Sequence, residues 1–150
     1  MLVEYIGDSV QDFFNPTAGE ALSTSMYDDG ADIVYHAAGQ SGLGLFKAAV
    51  QANKLAIGVD SDQYLTASPE EQPLILTSML KRVDTAVYEA IKQTVEGEFR
   101  AGFQVFGIAE DGISYSDSNP ALTEEMKAAM DEASAAILAG EITVPEEPEA

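Results

Sequence analysis

The chain has no cysteine and no tryptophan, one histidine, and only 7 basic residues against 26 acidic ones among its 150. Without cysteine, a disulfide and a thiolate metal site are both excluded, and no lipid-carrying cysteine is expected at this N-terminus. The net charge of −19 repels phosphate backbones and anionic bilayer surfaces, so neither nucleic acid nor a membrane surface is an expected partner. His36 has no matching Ser, Cys or His partner for a nucleophilic or metal site and is expected to pack at a strand end. No run approaches the roughly 18 apolar residues of a membrane span. The N-terminus has no basic stretch followed by an apolar core, so no signal peptide is expected within the chain. The acidic pairs Asp28-Asp29, Glu70-Glu71 and Glu124-Glu125 suit helix ends or solvated surface better than acid/base catalysis. The expected catalytic residues, metal ligands and cofactors are therefore none.

What is present is an ordinary globular composition, 46% apolar and 22% charged, in a chain long enough for one domain with its own core. Residues 2–6 alternate sufficiently for a short strand, and a chain starting inside a strand is expected to be part of a longer one. Ala18, Ala21, Leu22 and Met26 space a helix from about Thr17, ended by Asp28-Asp29-Gly30. Residues 32–38 form a nearly unbroken apolar run, expected as a strand covered on both faces. A helix over 43–53 and a strand over 55–59 follow, giving β-α-β-α-β and hence a parallel α/β sheet with right-handed crossovers. Leu76, Leu80, Val83, Val87, Ala90 and Ile91 predict one long helix over 74–95, closed by Gly97. Residues 103–108 and 113–115 are expected as a hairpin about Asp111-Gly112. Thr123 caps a last helix that turns Met126, Met130, Ala133 and Ile137 inward and stops at Gly140. From Pro145 the chain continues as an acidic tail.

Polar groups gather where the central strands end, which is where ligands sit in open α/β sheets. Gly39-Gln40-Ser41-Gly42-Leu43-Gly44 lies between strand and helix, as a tight turn or as a cradle for a ligand oxygen. It is neither GxGxxG nor a P-loop. Asp60 ends an apolar strand; its carboxylate can accept two hydrogen bonds from a vicinal diol or cap the next loop. Asp62 is the better loop cap of the two. Lys81 is either solvated surface, paired with an acid such as Asp84, or a cation aimed at a polar cleft. Phe13 and Phe14 lie in a loop, where one can anchor and the other can offer a ring to a planar ligand.

The strings Ala37-Ala38-Gly39-x-x-Gly42-x-Gly44, Gly58-Val59-Asp60-Ser61-Asp62-Gln63 and Thr77 to Asp84 together resemble the basic membrane protein (PnrA-like) family of nucleoside-binding lipoproteins, from Leu2 to about Pro145. The resemblance implies a three-layer, parallel-sheet lobe of a type I periplasmic-binding-protein fold, here without its first lobe. Residues 1–144 would be the second lobe with its 74–95 crossover helix, and 145–150 a disordered tail. It further implies a non-catalytic receptor that delivers purine nucleosides to an ABC permease, outside the cytoplasm and lipid-anchored in the intact protein. Asp60 would hold ribose hydroxyls, Lys81 would contact the sugar, Gly39 would let the ligand approach the backbone, and Phe14 would stack on the base. The 74–95 stripe, lacking its usual cover, is expected to redock, to form a homodimer or to leave the chain marginally stable. Two rivals remain: a cytoplasmic regulatory sensor of the same fold, and a flavodoxin- or Rossmann-like enzyme holding a nucleotide phosphate at Gly39–Gly44.

Overall fold

The structure, a computed structural model, describes residues 1–145. They fall into two compact units: Met1–Lys81 with Tyr115–Ala121, and Arg82–Ser114 with the residues from Leu122 onward.

The first unit is a parallel α/β assembly. Helix α1 (Pro16–Asp28) starts where the Asn15 side chain accepts the Ala18 N–H at 3.1 Å, with proline at the first helical position. Strand β1 (Ile33–Tyr35) leads through a 3-10 turn, Gly39–Gly42, into α2 (Leu43–Ala52), which Asn53 ends in the left-handed conformation. Strands β2 (Leu55–Asp60) and β3 (Ile75–Lys81) follow. Val34 pairs with Ala56, and Asp60 with Leu80, so β1, β2 and β3 run parallel and their C-terminal ends share one edge. The short strand β4 (Ile113–Tyr115) ends on Tyr115, which belongs to this unit, and the next residue, Ser116, donates its N–H to the Ser78 carbonyl at 2.9 Å.

The core is Tyr27, Val34, Leu45, Phe46, Ala48, Ala49, Ala56 and Ile75. Small residues let the two helices meet backbone to backbone. A Cβ at Gly19 would lie 2.0 Å from the Ser41 carbonyl oxygen, and one at Gly44 would lie 2.0 Å from that of Pro16. The buried polar groups of β3 are paired: Ser78 N–H donates to Ser116 Oγ at 2.9 Å, Thr77 Oγ1 to the Ser116 carbonyl at 2.6 Å, and Asn119 Nδ2 to the Ile75 carbonyl at 2.8 Å.

The second unit holds α3 (Val83–Glu96) and α4 (Glu124–Leu138), neither with a buried residue. Arg82 forks onto Asp84 at 3.0 Å and reaches Asp111 at 3.5 Å, and its N–H donates to the Gly112 carbonyl. Thr123 caps α4 by accepting the Met126 N–H at 3.2 Å.

Five expectations need correction. Residues 2–6 form no strand, because a strand needs a neighbouring ladder and Leu2, Val3 and Tyr5 lie largely exposed. β1 is not covered on both faces, since Ile33 and Tyr35 are exposed around buried Val34. The single helix over 74–95 is a strand, Ile75–Lys81, followed by a helix, Val83–Glu96. Its first half spaces leucines helically, but the residues buried are Ile75, Thr77 and Ser78, and parallel pairing to β2 satisfies the backbone. Residues 103–108 are irregular, with Phe103 and Val105 exposed, so no hairpin partner stands opposite 113–115. On α4, Met126 and Ala133 face solvent instead of a core. The expected tail lies outside the described residues from position 146 onward.

Candidate functional site

Parallel pairing brings Asp60, the last residue of β2, beside Lys81, the last of β3. Lys81 Nζ stands 3.3 Å from Asp60 Oδ1, and both side chains remain more than half exposed, at 63% and 57%. Lys81 therefore sits at a strand end and not inside a helix, and its acid is Asp60; Asp84 goes to Arg82. Screening leaves such an open pair only about 0–1 kcal/mol of stability. Its meaning is chemical: an acceptor and a donor of opposite charge are held side by side and open to solvent.

Asp60 also has an unusual backbone. Its φ is +66°, and the Ser61 N–H donates to the Val59 carbonyl at 2.8 Å, closing a γ-turn of the rare, positive-φ kind. A non-glycine residue there costs about 1–3 kcal/mol, and such strain collects where a side chain must be aimed. Asp62, two residues on, caps the following turn through the Tyr64 N–H at 3.2 Å and accepts from the Ser118 hydroxyl, as a loop cap should.

The edge continues on the β1 side. Tyr35 ends β1 half exposed; burial, and secondarily the Asp60 charge, hold its phenol above the usual range. His36 follows and is buried, its ring edge-on to Phe46 at 5.8 Å. Gln63 Oε1 accepts the Val59 N–H at 2.7 Å and lies 3.2 Å from His36 Nε2. An oxygen already facing a backbone donor makes Nε2 the protonated nitrogen. That leaves His36 Nδ1 as a buried nitrogen without a hydrogen-bond partner, against Gly42, where a Cβ would lie 2.0 Å away. Burial holds the imidazole below 6.5, against the opposing pull of Gln63 and Asp60.

Gly39 has φ +55°, and a Cβ there would lie 3.3 Å from Phe13. Glycine thus serves both the turn and the close approach of the aromatic loop. That loop is anchored by Ser41, whose Oγ accepts the Asn15 N–H at 2.7 Å and donates to the Asp12 carbonyl. Neither phenylalanine is buried: Phe13 lies on Gly39, and Phe14 is the more open at 62%.

Asp60 and Lys81 are thus directly paired, and Gly39 and Phe13 form a second group on the same unit, with Phe14 next to it in sequence. A carboxylate, an ammonium and open aromatic rings suit a neutral ligand with hydroxyls and a planar ring. Reasoning from sequence did not single out Tyr35 or Gln63; the signal for Gln63 was its place four residues after Val59 in the Gly58–Gln63 string. Among the described residues no group of three or more His, Cys, Asp or Glu is placed to hold a metal ion, and no helix is long and apolar enough to cross a membrane.

A family model described as ABC transporter substrate-binding protein PnrA-like matches residues 4–148. The CD4+ T-cell-stimulating antigen of Listeria innocua is 33% identical over 150 aligned residues, covering 91% of this chain and 42% of that protein. The ABC transporter nucleoside-binding protein BmpA of Lactococcus lactis subsp. cremoris is 31% identical over 157, covering 95% and 43%. A solute-binding protein of an ABC transporter system from Aeropyrum pernix K1 superposes with a TM-score of 0.71 at 27% identity, over 96% of this chain and 48% of that one. The chain spans less than half the length of these relatives.

Proposed function

Because this chain belongs to the PnrA-like family of ABC transporter substrate-binding proteins, we propose that it is the lobe of a receptor that holds the ribose of a purine nucleoside at the Asp60–Lys81 edge. The observation that carries the reading is the pairing of these two side chains at adjacent parallel strand ends, 3.3 Å apart and open to solvent. The carboxylate accepts hydrogen bonds from both hydroxyls of a vicinal diol, as acidic residues do for ribose in other α/β folds. The ammonium donates to a sugar oxygen. Phe14 supplies a stacking face for the base, and Gly39 admits the ligand to the backbone.

The pair is neutral as a whole in a strongly acidic chain, which supports an uncharged nucleoside over its phosphate ester. The role is binding without catalysis, on behalf of an ABC permease, outside the cytoplasm and by way of a lipid anchor in the intact protein. The exposed face of α3, with Val87, Ile91 and Val95, supports self-association through that helix. Sedimentation showing a monomer at every concentration would refute this last point.

Calorimetric titration of inosine, guanosine, adenosine and their monophosphates into the chain, and into the longest protein its gene encodes, tests the reading. Free nucleosides are expected to bind, and Asp60→Asn and Lys81→Met to abolish the heat of binding. Preference for the monophosphates would favour a phosphate held at Gly39–Gly44 instead, and no binding to the longest protein would refute the nucleoside assignment.

A further inference from the structure

The turn at Asp60 needs something to hold it, and the ion pair with Lys81 is too open to do so alone. One side chain is placed for that task. Gln63 Oε1 takes the N–H of Val59, the first residue of the turn, at 2.7 Å. The same oxygen lies 3.2 Å from His36 Nε2, just past the end of β1, and the Gln63 N–H donates to Ser78 Oγ of β3 at 3.1 Å. Residue 63 therefore links the segment just past β1 and the end of β2 through its side chain, and the middle of β3 through its backbone N–H. Gly58 makes room for it: a Cβ there would lie 2.7 Å from Gln63 Oε1 and 2.5 Å from Ser78 Oγ.

We infer that Gln63 is a positioning residue: held by His36 and seated over Gly58, it fixes Asp60 in its positive-φ turn and so presents the carboxylate to the ligand. This deepens the nucleoside reading and rests on it for the ligand alone; the backbone part stands independently. Losing the Oε1 acceptor leaves the Val59 N–H without its partner and removes what resists relaxation of Asp60 to negative φ. Specificity for a diol then falls although Asp60 itself is intact.

The test is NMR of the ligand-free chain, reading Asp60 φ from its three-bond HN–Hα coupling and Cα shift, together with inosine titration. Gln63→Leu is expected to move the Asp60 signature to negative φ and to weaken inosine about tenfold or more. Gln63→Glu, which keeps an acceptor for Val59 and His36, is expected to retain the Asp60 signature. Gly58→Ala, which crowds Gln63 off its seat with residue 63 intact, is expected to reproduce the Leu variant and serves if that variant does not fold. An unchanged Asp60 signature in both Gln63→Leu and Gly58→Ala overturns the inference. If the signature moves as expected but the parent protein binds no nucleoside, Gln63 still holds Asp60 and the nucleoside reading is what fails.

Discussion

Replacing Asp60 by glycine and by alanine separates what its carboxylate does from what its backbone costs. Both substitutions remove the same ion pair, which at 63% and 57% exposure contributes about 0–1 kcal/mol and cancels in the comparison. They differ in the turn. An alanine held at φ +66° is penalised by about 1–2 kcal/mol, as any L-residue in the left-handed region is, whereas glycine is not. Against that, alanine narrows the unfolded ensemble relative to glycine, which elsewhere favours alanine by about 0.4–1 kcal/mol. Asp60→Gly is therefore expected to be the more stable variant, by up to about 1.6 kcal/mol, reversing the usual order. At about 2–4 °C per kcal/mol for a chain of this size, the glycine variant should melt higher by up to about 6 °C. Paired melts followed by circular dichroism read the difference, and inosine titration should find binding lost in both variants. If alanine melts higher than glycine, Asp60 does not occupy the strained turn in solution and the argument built on its aim collapses.

Gly44→Ala should destabilise the lobe by about 1–3 kcal/mol in urea unfolding, although alanine is the better helix former, because its Cβ would meet α1 backbone at Pro16 and Glu20; a neutral or stabilising result would refute the close crossing. His36 is buried and held below 6.5, so as pH falls below that value the unfolded chain takes up a proton the folded chain refuses. Stability should therefore decline from pH 6.5 downward, ahead of the losses from Asp12, Asp32 and Asp84, which their partners hold below 3.8. His36→Gln should flatten that upper slope in pH-dependent melts, and an unchanged slope would exclude His36 as its source. Phe14→Ala should weaken inosine more than Phe13→Ala does, and Phe13→Ala should cost more in thermal stability, because Phe13 lies on Gly39 while Phe14 is open; calorimetry and melts of the two variants decide.

The β1–α2–β2 unit was legible because three signals agreed there: an apolar run, a glycine turn and a second run ending on an acid. Asp60 and Gly39 could be found from that pattern, as could the Thr123 cap. Strand β3 could not. Leu76, Leu80, Val83 and Val87 fall three or four residues apart and imitate a helix, while two of its buried residues, Thr77 and Ser78, are polar. Their burial depends on partners 38 and 39 residues away, at Ser116, which no local window contains. The pairing of Lys81 with Asp60 was hidden for the same reason, since only the strand places it at the edge. Gln63 stands in the Gly58–Gln63 string, but its bonds to His36 and Ser78, 27 and 15 residues away, lie outside any local window.

Ser41 ties the aromatic loop to the chain 26 and 29 residues away through two hydrogen bonds, to Asn15 and Asp12. On the nucleoside reading proposed above, a loop whose backbone is fastened in this way is in place before the ligand arrives, so little ordering remains to be done on encounter. Discrimination among related ligands should then show as differences in residence time, with arrival rates nearly the same for all of them.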